Sequence, residues 1–209
     1  MNDVLIIDTG VANLRSMEAA LEREDFPTRR TRDAEAIATA ERVVLPGVGS
    51  FARGLDNLGT DCAAALKKRV TGGLPTLAVC LGMQMLAECS EEDPGRRGLG
   101  LLPGAVQRLT AGRIPHLGWN RVSSRGDDAW LPTGFAAFAH SFALPAEAAA
   151  DLEAQGWSTA VCTSGDAAFV AAAGRDGVLA CQFHPELSGA WGRDLLRRWL
   201  RAGKETPCL

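Results

Sequence analysis

Leu77-Ala78-Val79-Cys80-Leu81-Gly82-Met83-Gln84 decides how this 209-residue chain is organised. An apolar run passes straight into a helix pattern, so a buried strand turns sharply into a helix with a cysteine at the corner. Such a corner pushes its residue out of the sheet, and the small neighbours Ala78 and Gly82 leave room for a crowded backbone. Two readings of Cys80 are open on these residues alone. One is a core cysteine at a strand end, since Cys is among the most buried residue types. The other is a nucleophile whose thiolate the helix amino terminus favours.

Outward from this corner the same alternation continues. Val4 to Asp8 and Arg42 to Leu45 read as buried strands, with a helix from Asn13 to Glu24 between them, and Pro46-Gly47 ends the second strand. Asp61 is expected to cap a helix running to Val70, which Gly72-Gly73 stop ahead of the strand Thr76 to Val79. Strands alternating with helices predict an α/β fold, a flavodoxin-like three-layer domain around a mostly parallel sheet. Ser90 to Gly104 is polar and glycine-rich and reads as a surface loop. Beyond it, Phe135 to Phe142, Ser158 to Thr163, Ala167 to Ala172 and Val178 to Phe183 read as strands. Ser188 is expected to cap a closing helix carrying Leu195, Leu196, Trp199 and Leu200 at helical spacing. Residues 1–209 are read as one domain.

The composition narrows the partners. A net charge of −3 offers no basic field for phosphate backbones, so nucleic acid is not expected. No apolar run approaches the roughly 18 residues needed to span a bilayer. Met1-Asn2-Asp3 ahead of Val4 to Ile7 lacks a basic leader, so a soluble cytoplasmic protein is expected. The cysteines are then expected as reduced thiols. There is no Cys-x-x-Cys, and Cys181 with His184 is the only Cys-x-x-His spacing, so neither a metal nor another cofactor is expected.

A cysteine nucleophile needs a base, and the chain has three histidines. His184 precedes Pro185, which biases it toward an extended backbone. Extended residues two apart point the same way, so His184 and Glu186 are expected to project together, base and orienting acid. The alternative is a solvated pair in a turn. Thiolate attack on an amide carbonyl creates an oxyanion that needs N–H donors. Leu45-Pro46-Gly47-Val48-Gly49-Ser50 can supply one from Val48 or Gly49, and Leu81 the other. Alone, this segment is equally an ordinary turn; it lacks the Lys and Ser/Thr of a phosphate loop.

Together, Cys80 in its corner, Pro46-Gly47-Val48-Gly49 and His184-Pro185-Glu186 resemble the class I (triad) glutamine amidotransferases. Pro115-His116-Leu117-Gly118-Trp119-Asn120 and Ala139-His140-Ser141-Phe142 are similar to segments that mark the glutaminase subunits of imidazole glycerol phosphate synthases. The resemblance runs from residue 3 to about residue 200. It implies the class I glutamine amidotransferase-like fold and hydrolysis of glutamine to glutamate and ammonia, with Cys80, His184 and Glu186 as catalytic residues and Val48 and Leu81 at the oxyanion. It implies glutamine binding by Gly49, Gly82, Gln84, His140, Ser141 and Phe142. It further implies a one-to-one heterodimer with a (β/α)8-barrel cyclase of histidine biosynthesis that uses the ammonia, with Asn13, Trp119 and Asn120 toward that partner. For Trp119 the alternative is a core aromatic. His116 is expected to buttress the interface loop, and neither it nor His140 resembles the base.

This chain departs from the family's pattern at several positions. Ala78 stands where glycine is usual, Thr9 and Phe142 where tyrosine is, and Leu187 where a lysine often follows His-Pro-Glu. Ala78 is small enough for the corner and Phe142 forfeits only a hydroxyl, so hydrolysis is expected to survive both. Leu187, Thr9 and Ala12 alter the rim expected to meet the partner. A stand-alone cysteine hydrolase acting on γ-glutamyl bonds would share the triad without Pro115 to Asn120.

Overall fold

The computed structural model describes residues 3–10, 14–110, 113–126 and 131–201. Ala12 and Asn13 of the expected partner rim lie outside the described residues. In chain order the elements are β1 (Val4–Ile7), α1 (Leu14–Glu22), β2 (Thr28–Thr31), α2 (Ala34–Thr39), β3 (Arg42–Leu45), α3 (Phe51–Thr71), β4 (Thr76–Val79), α4 (Leu81–Leu86), β5 (Ala87–Ser90) and β6 (Leu102–Arg108). After them come β7 (His116–Ser124), β8 (Gly134–His140), β9 (Phe142–Ala143), α5 (Ala148–Ala154), β10 (Ser158–Ser164), β11 (Ala167–Arg175), β12 (Val178–Cys181) and α6 (Gly189–Arg201).

A nine-stranded sheet runs β2-β1-β3-β4-β12-β11-β10-β7-β8. From β2 to β12 neighbouring strands are parallel, and from β12 to β8 they are antiparallel. Every residue of β1, β3, β4 and β12 is buried. Apart from Arg42 and Thr76 at the entries of β3 and β4 they are apolar, because helices cover both faces of the parallel half. The pleat sorts their side chains: Val4, Ile6, Val44, Leu77, Val79 and Leu179 join one core with α1 and α6. Leu5, Ile7, Val43, Leu45, Ala78 and Ala180 join the other, with α2, α3 and α4. Three layers result from this period of two, as in a class I amidotransferase-like α/β domain.

Several expected boundaries change. α3 starts ten residues ahead of Asp61, and its break falls at Gly59, whose φ of 73° and ψ of 166° suit glycine almost alone. Its amino terminus is satisfied from a distance. Glu92 accepts from the Phe51 N–H and Asp93 from the Ala52 N–H, each at 2.8 Å. The stretch read only as a surface loop therefore brings two carboxylates to the positive end of α3. At the other end the buried guanidinium of Arg69 donates to the carbonyls of Ile37, Ala40 and Pro75, tying α3 to α2 and to the entry of β4. Burial pulls Arg69 down to about 10, still well above neutrality.

Phe135 to Phe142, expected as one strand, divides at Ser141 because β8 pairs with β7 in the large sheet while β9 pairs with β6 in a separate three-stranded sheet. The expected helix Asn13 to Glu24 ends at Glu22, with Asp25 at positive φ in the turn beyond it. Ser188 does not spend its hydroxyl on capping α6. It donates to the His184 carbonyl and accepts from the Ala137 N–H. Among the described residues no helix is long and apolar enough to cross a membrane.

Candidate active site

The parallel pairing of β4 with β12 puts Val79 beside Cys181. The next residues of both strands therefore emerge together at the carboxyl edge of the sheet, where α/β folds place their ligands. Cys80 donates its N–H to the Cys181 carbonyl at 2.7 Å and then turns with φ 54° and ψ −110°, a conformation that L-residues rarely adopt. A sharp corner at this cysteine is thus observed. It depends on Gly82, where a Cβ would lie 2.1 Å from the Leu45 carbonyl oxygen.

His184 lies just beyond β12 and is held by its backbone. Its N–H donates to the Ala137 carbonyl at 2.9 Å, and Ser188 ties its carbonyl to the same residue. His184 and Glu186 do meet, with Nδ1 2.8 Å from Oε1, but through a 3₁₀ turn over Pro185–Leu187 and not along an extended segment. Burial pulls the imidazole pKa down, yet the hydrogen bonds and charges of Cys80 and Glu186 outweigh it and raise His184 to about 10. The imidazolium form is therefore held between the Cys80 sulfur and the Glu186 carboxylate. Cys181, next to Cys80 across the sheet, is fully buried, and burial with the Glu186 charge pushes its thiol well up. Only one of the two neighbouring thiols is placed to react.

In front of Cys80 lies a cavity of about 220 Å³, lined by Val48, Gly49, Cys80, Leu81, Gln84, Glu92, Ala139, His140, Ser141 and Phe142. Gly82, expected to bind substrate, is not in this lining; its place is the close packing of the corner. The cavity is smaller than the roughly 300–1,000 Å³ of drug-sized sites, a scale that suits one amino acid. The Ser141 break between β8 and β9 turns 139–142 into its wall. Gln84, buried, donates to the Phe142 carbonyl at 2.7 Å and to Gln182 Oε1 at 3.1 Å. Gln182 Nε2 faces the Cys80 sulfur at 3.7 Å.

Two of these residues escaped the reading of the sequence. Glu92 sits in a polar glycine-rich stretch with no motif to mark it, and Gln182 is one polar residue at a strand end. The expected oxyanion donor Leu81 is engaged: its N–H reaches the Gly47 carbonyl at 3.3 Å. Exposed large apolar residues among those described include Val48, Leu117, Trp119, Phe135 and Leu187. Trp119 is 59% exposed, which removes the core reading of it. A Cβ on Gly189 would meet its ring at 3.3 Å, so Trp119 lies against the segment just beyond Leu187.

A cysteine at a strand-to-helix corner, a histidine–glutamate pair and a flavodoxin-like sheet in one edge site define a class of protein. The chain belongs to the class-I glutamine amidotransferase family, whose sequence model matches residues 5–202. More particularly, it is 38% identical over 204 residues to the imidazole glycerol phosphate synthase subunit HisH of Herpetosiphon aurantiacus, covering 94% of this chain and 93% of that one. It is 39% identical to the subunit HisH of Symbiobacterium thermophilum, over 96% and 94% of the two chains. Against the chloroplastic imidazole glycerol phosphate synthase hisHF of Arabidopsis thaliana it is 37% identical but spans 34% of that longer chain. Among solved structures, a glutamine amidotransferase superposes with a TM-score of 0.66 at 22% identity, covering 97% of this chain and 99% of the other. That likeness concerns the fold.

Proposed function

We propose that residues 1–209 act as one domain, the glutaminase subunit of an imidazole glycerol phosphate synthase in histidine biosynthesis. The observation that carries this reading is the row Cys80, His184, Glu186 at one end of an amino-acid-sized cavity. The Cys80 thiolate attacks the side-chain amide carbon of glutamine. His184 gives a proton to the departing ammonia, leaving a glutamyl thioester on the sulfur. Water then attacks the thioester while His184 takes its proton; the C–S bond breaks and glutamate leaves. Glu186 holds the charged imidazole throughout.

Glutamine lies between Gln84 and the wall 140–142, beside Gly49. The Glu92 carboxylate meets its α-ammonium group. For the oxyanion, Val48 and Leu81 are the donors, and the Gly47 carbonyl must first release the Leu81 N–H. Turnover is therefore slow in the isolated chain and rises when a partner moves the 46–50 turn. That partner is a (β/α)8-barrel cyclase, bound one-to-one over the face of Trp119 and Leu187, with Asn120 behind it and Asn13, outside the described residues, expected toward the same partner. The apolar Leu187 gives this face a hydrophobic contact in place of a charge, which suits the exposed Trp119 lying against the segment beyond it.

The test mixes the chain with a candidate cyclase and its nucleotide. Cys80→Ala is expected to abolish glutamine-dependent product while leaving synthesis from added ammonium intact. Retained glutamine-dependent synthesis would remove Cys80 from the mechanism. A fast glutaminase rate without any cyclase would identify a stand-alone hydrolase instead.

A further inference from the structure

Two buried histidines outside the catalytic row are joined into a chain whose direction can be worked out from its ends. The Phe142 carbonyl can only accept, so the His140 Nδ1 that approaches it at 3.0 Å must carry a proton. His140 is buried, and burial with the neighbouring His116 brings its pKa down to about 3, so the ring is neutral and its Nε2 is bare. That bare nitrogen lies 3.2 Å from His116 Nδ1, which must therefore donate. His116, lowered by burial, is likewise neutral, and its bare Nε2 faces the Asn120 side-chain amide at 3.4 Å.

The far end agrees independently. Asn120 donates from Nδ2 to the Thr163 carbonyl and accepts at Oδ1 from the Arg121 N–H, which leaves its NH₂ toward His116. On the other side of the Phe142 carbonyl, Gln84 must present its NH₂, since that oxygen only accepts. Its second N–H then faces Gln182 Oε1, and this fixes the Gln182 NH₂ toward the Cys80 sulfur.

We infer that Asn120, His116 and His140 from one side, and Gln84 and Gln182 from the other, meet at the Phe142 carbonyl as one hydrogen-bond chain linking Asn120 on β7 to the Cys80 sulfur, with His116 and His140 as positioning residues in their Nδ1–H tautomers. This deepens the glutaminase reading and rests on it for the use the cell makes of the sulfur. Both acceptor sites of the Phe142 carbonyl are filled, and the Ser141 carbonyl is taken by the Leu109 N–H. The wall 141–142 thus turns no unengaged carbonyl toward the carboxylate of a bound amino acid. Gln182, oriented by the same chain, offers a donor to the sulfur anion. An Nε2–H His140 would set two lone pairs against each other at Phe142 and loosen both ends.

The test needs neither glutamine nor cyclase. In ¹⁵N-histidine NMR spectra of the chain at neutral pH, His116 and His140 are expected to be protonated at Nδ1 and bare at Nε2. Either ring found as the Nε2–H tautomer or as imidazolium overturns the chain. Iodoacetamide alkylation, read on the Cys80 peptide by mass spectrometry, tests the sulfur end. Gln182→Met is expected to slow it about tenfold, the scale of one hydrogen bond to a charged group, and an unchanged rate overturns that link. His140→Leu is expected to slow it similarly, and His140→Asn, whose amide takes the place of Nδ1, to recover to within about threefold of the wild type. Equal rates for the Leu and Asn variants assign His140 a packing role and overturn the inference. Correct tautomers and alkylation rates in a chain that hydrolyses no glutamine would defeat the glutaminase reading alone.

Discussion

At the scale of single residues, His184 is the group that its surroundings perturb most plainly. His184 is raised from 6.5 to about 10, against the effect of burial, by Cys80 and Glu186. Its folded pKa lies above the unfolded one, so its stabilising contribution is complete below about pH 6.5 and is lost as pH rises through about 10. The wild-type chain should therefore lose unfolding free energy relative to His184→Gln across that window, measured by urea unfolding at stepped pH. The His184 ring signals in NMR should titrate far above 6.5, and Cys80→Ala should lower that midpoint by removing one of its partners. A midpoint indifferent to Cys80→Ala would show that the thiol does not act on this ring. Cys80, His184 and Glu186 were legible in the sequence because each sits in a local pattern: a strand-to-helix corner, and a histidine ahead of proline with an acid two residues on. Gln182 and Glu92 were not, because a lone polar residue carries no periodicity and becomes meaningful only when another strand or helix is brought against it.

At the scale of elements, legibility followed burial. β1, β3, β4 and β12 are covered on both faces and so read as apolar runs, polar only at the entry residues Arg42 and Thr76. β7 could not be read this way: its sequence His116–Ser124 leaves Leu117 and Trp119 exposed, so apolar residues do not mark its inner face. The 3₁₀ turn over Pro185–Leu187 was missed for a related reason. Pro185 restricts the residue before it but not the residues after it, and the Leu187 N–H closes the turn on the His184 carbonyl at 3.1 Å. Gly59→Ala meets no steric obstacle, since nothing lies within 4 Å of the added carbon, yet it must hold a backbone conformation suited to glycine. Urea unfolding should show a loss of about 1–3 kcal/mol. A neutral substitution would mean that the two halves of α3 can join as one regular helix.

At the scale of the whole molecule, the antiparallel half of the sheet has two duties. Its inner residues complete the cavity wall, while β7 and β8 present Leu117, Trp119 and Phe135 outward. Under the proposed reading, Trp119→Ala should weaken cyclase binding by about 2 kcal/mol or more, close to thirty-fold in Kd by titration calorimetry, as loss of a buried aromatic anchor does. The same variant should leave the tautomers of His116 and His140 unchanged. An unaltered Kd would move the docking surface away from β7.

Glu92 connects these scales. Its carboxylate accepts from the N–H of Phe51, the first residue of α3, and the 46–50 turn runs directly into that residue. The carboxylate of the cavity and the loop whose Gly47 carbonyl holds the Leu81 N–H are thus mounted on one bracket. Under the proposed reading, rearranging the loop displaces the charge beside it, so oxyanion geometry and amino-acid affinity become a single coupled variable. By reciprocity, a partner that favours the rearranged loop must also shift the binding constant for glutamine, and saturating glutamine must shift the partner's affinity by the same factor.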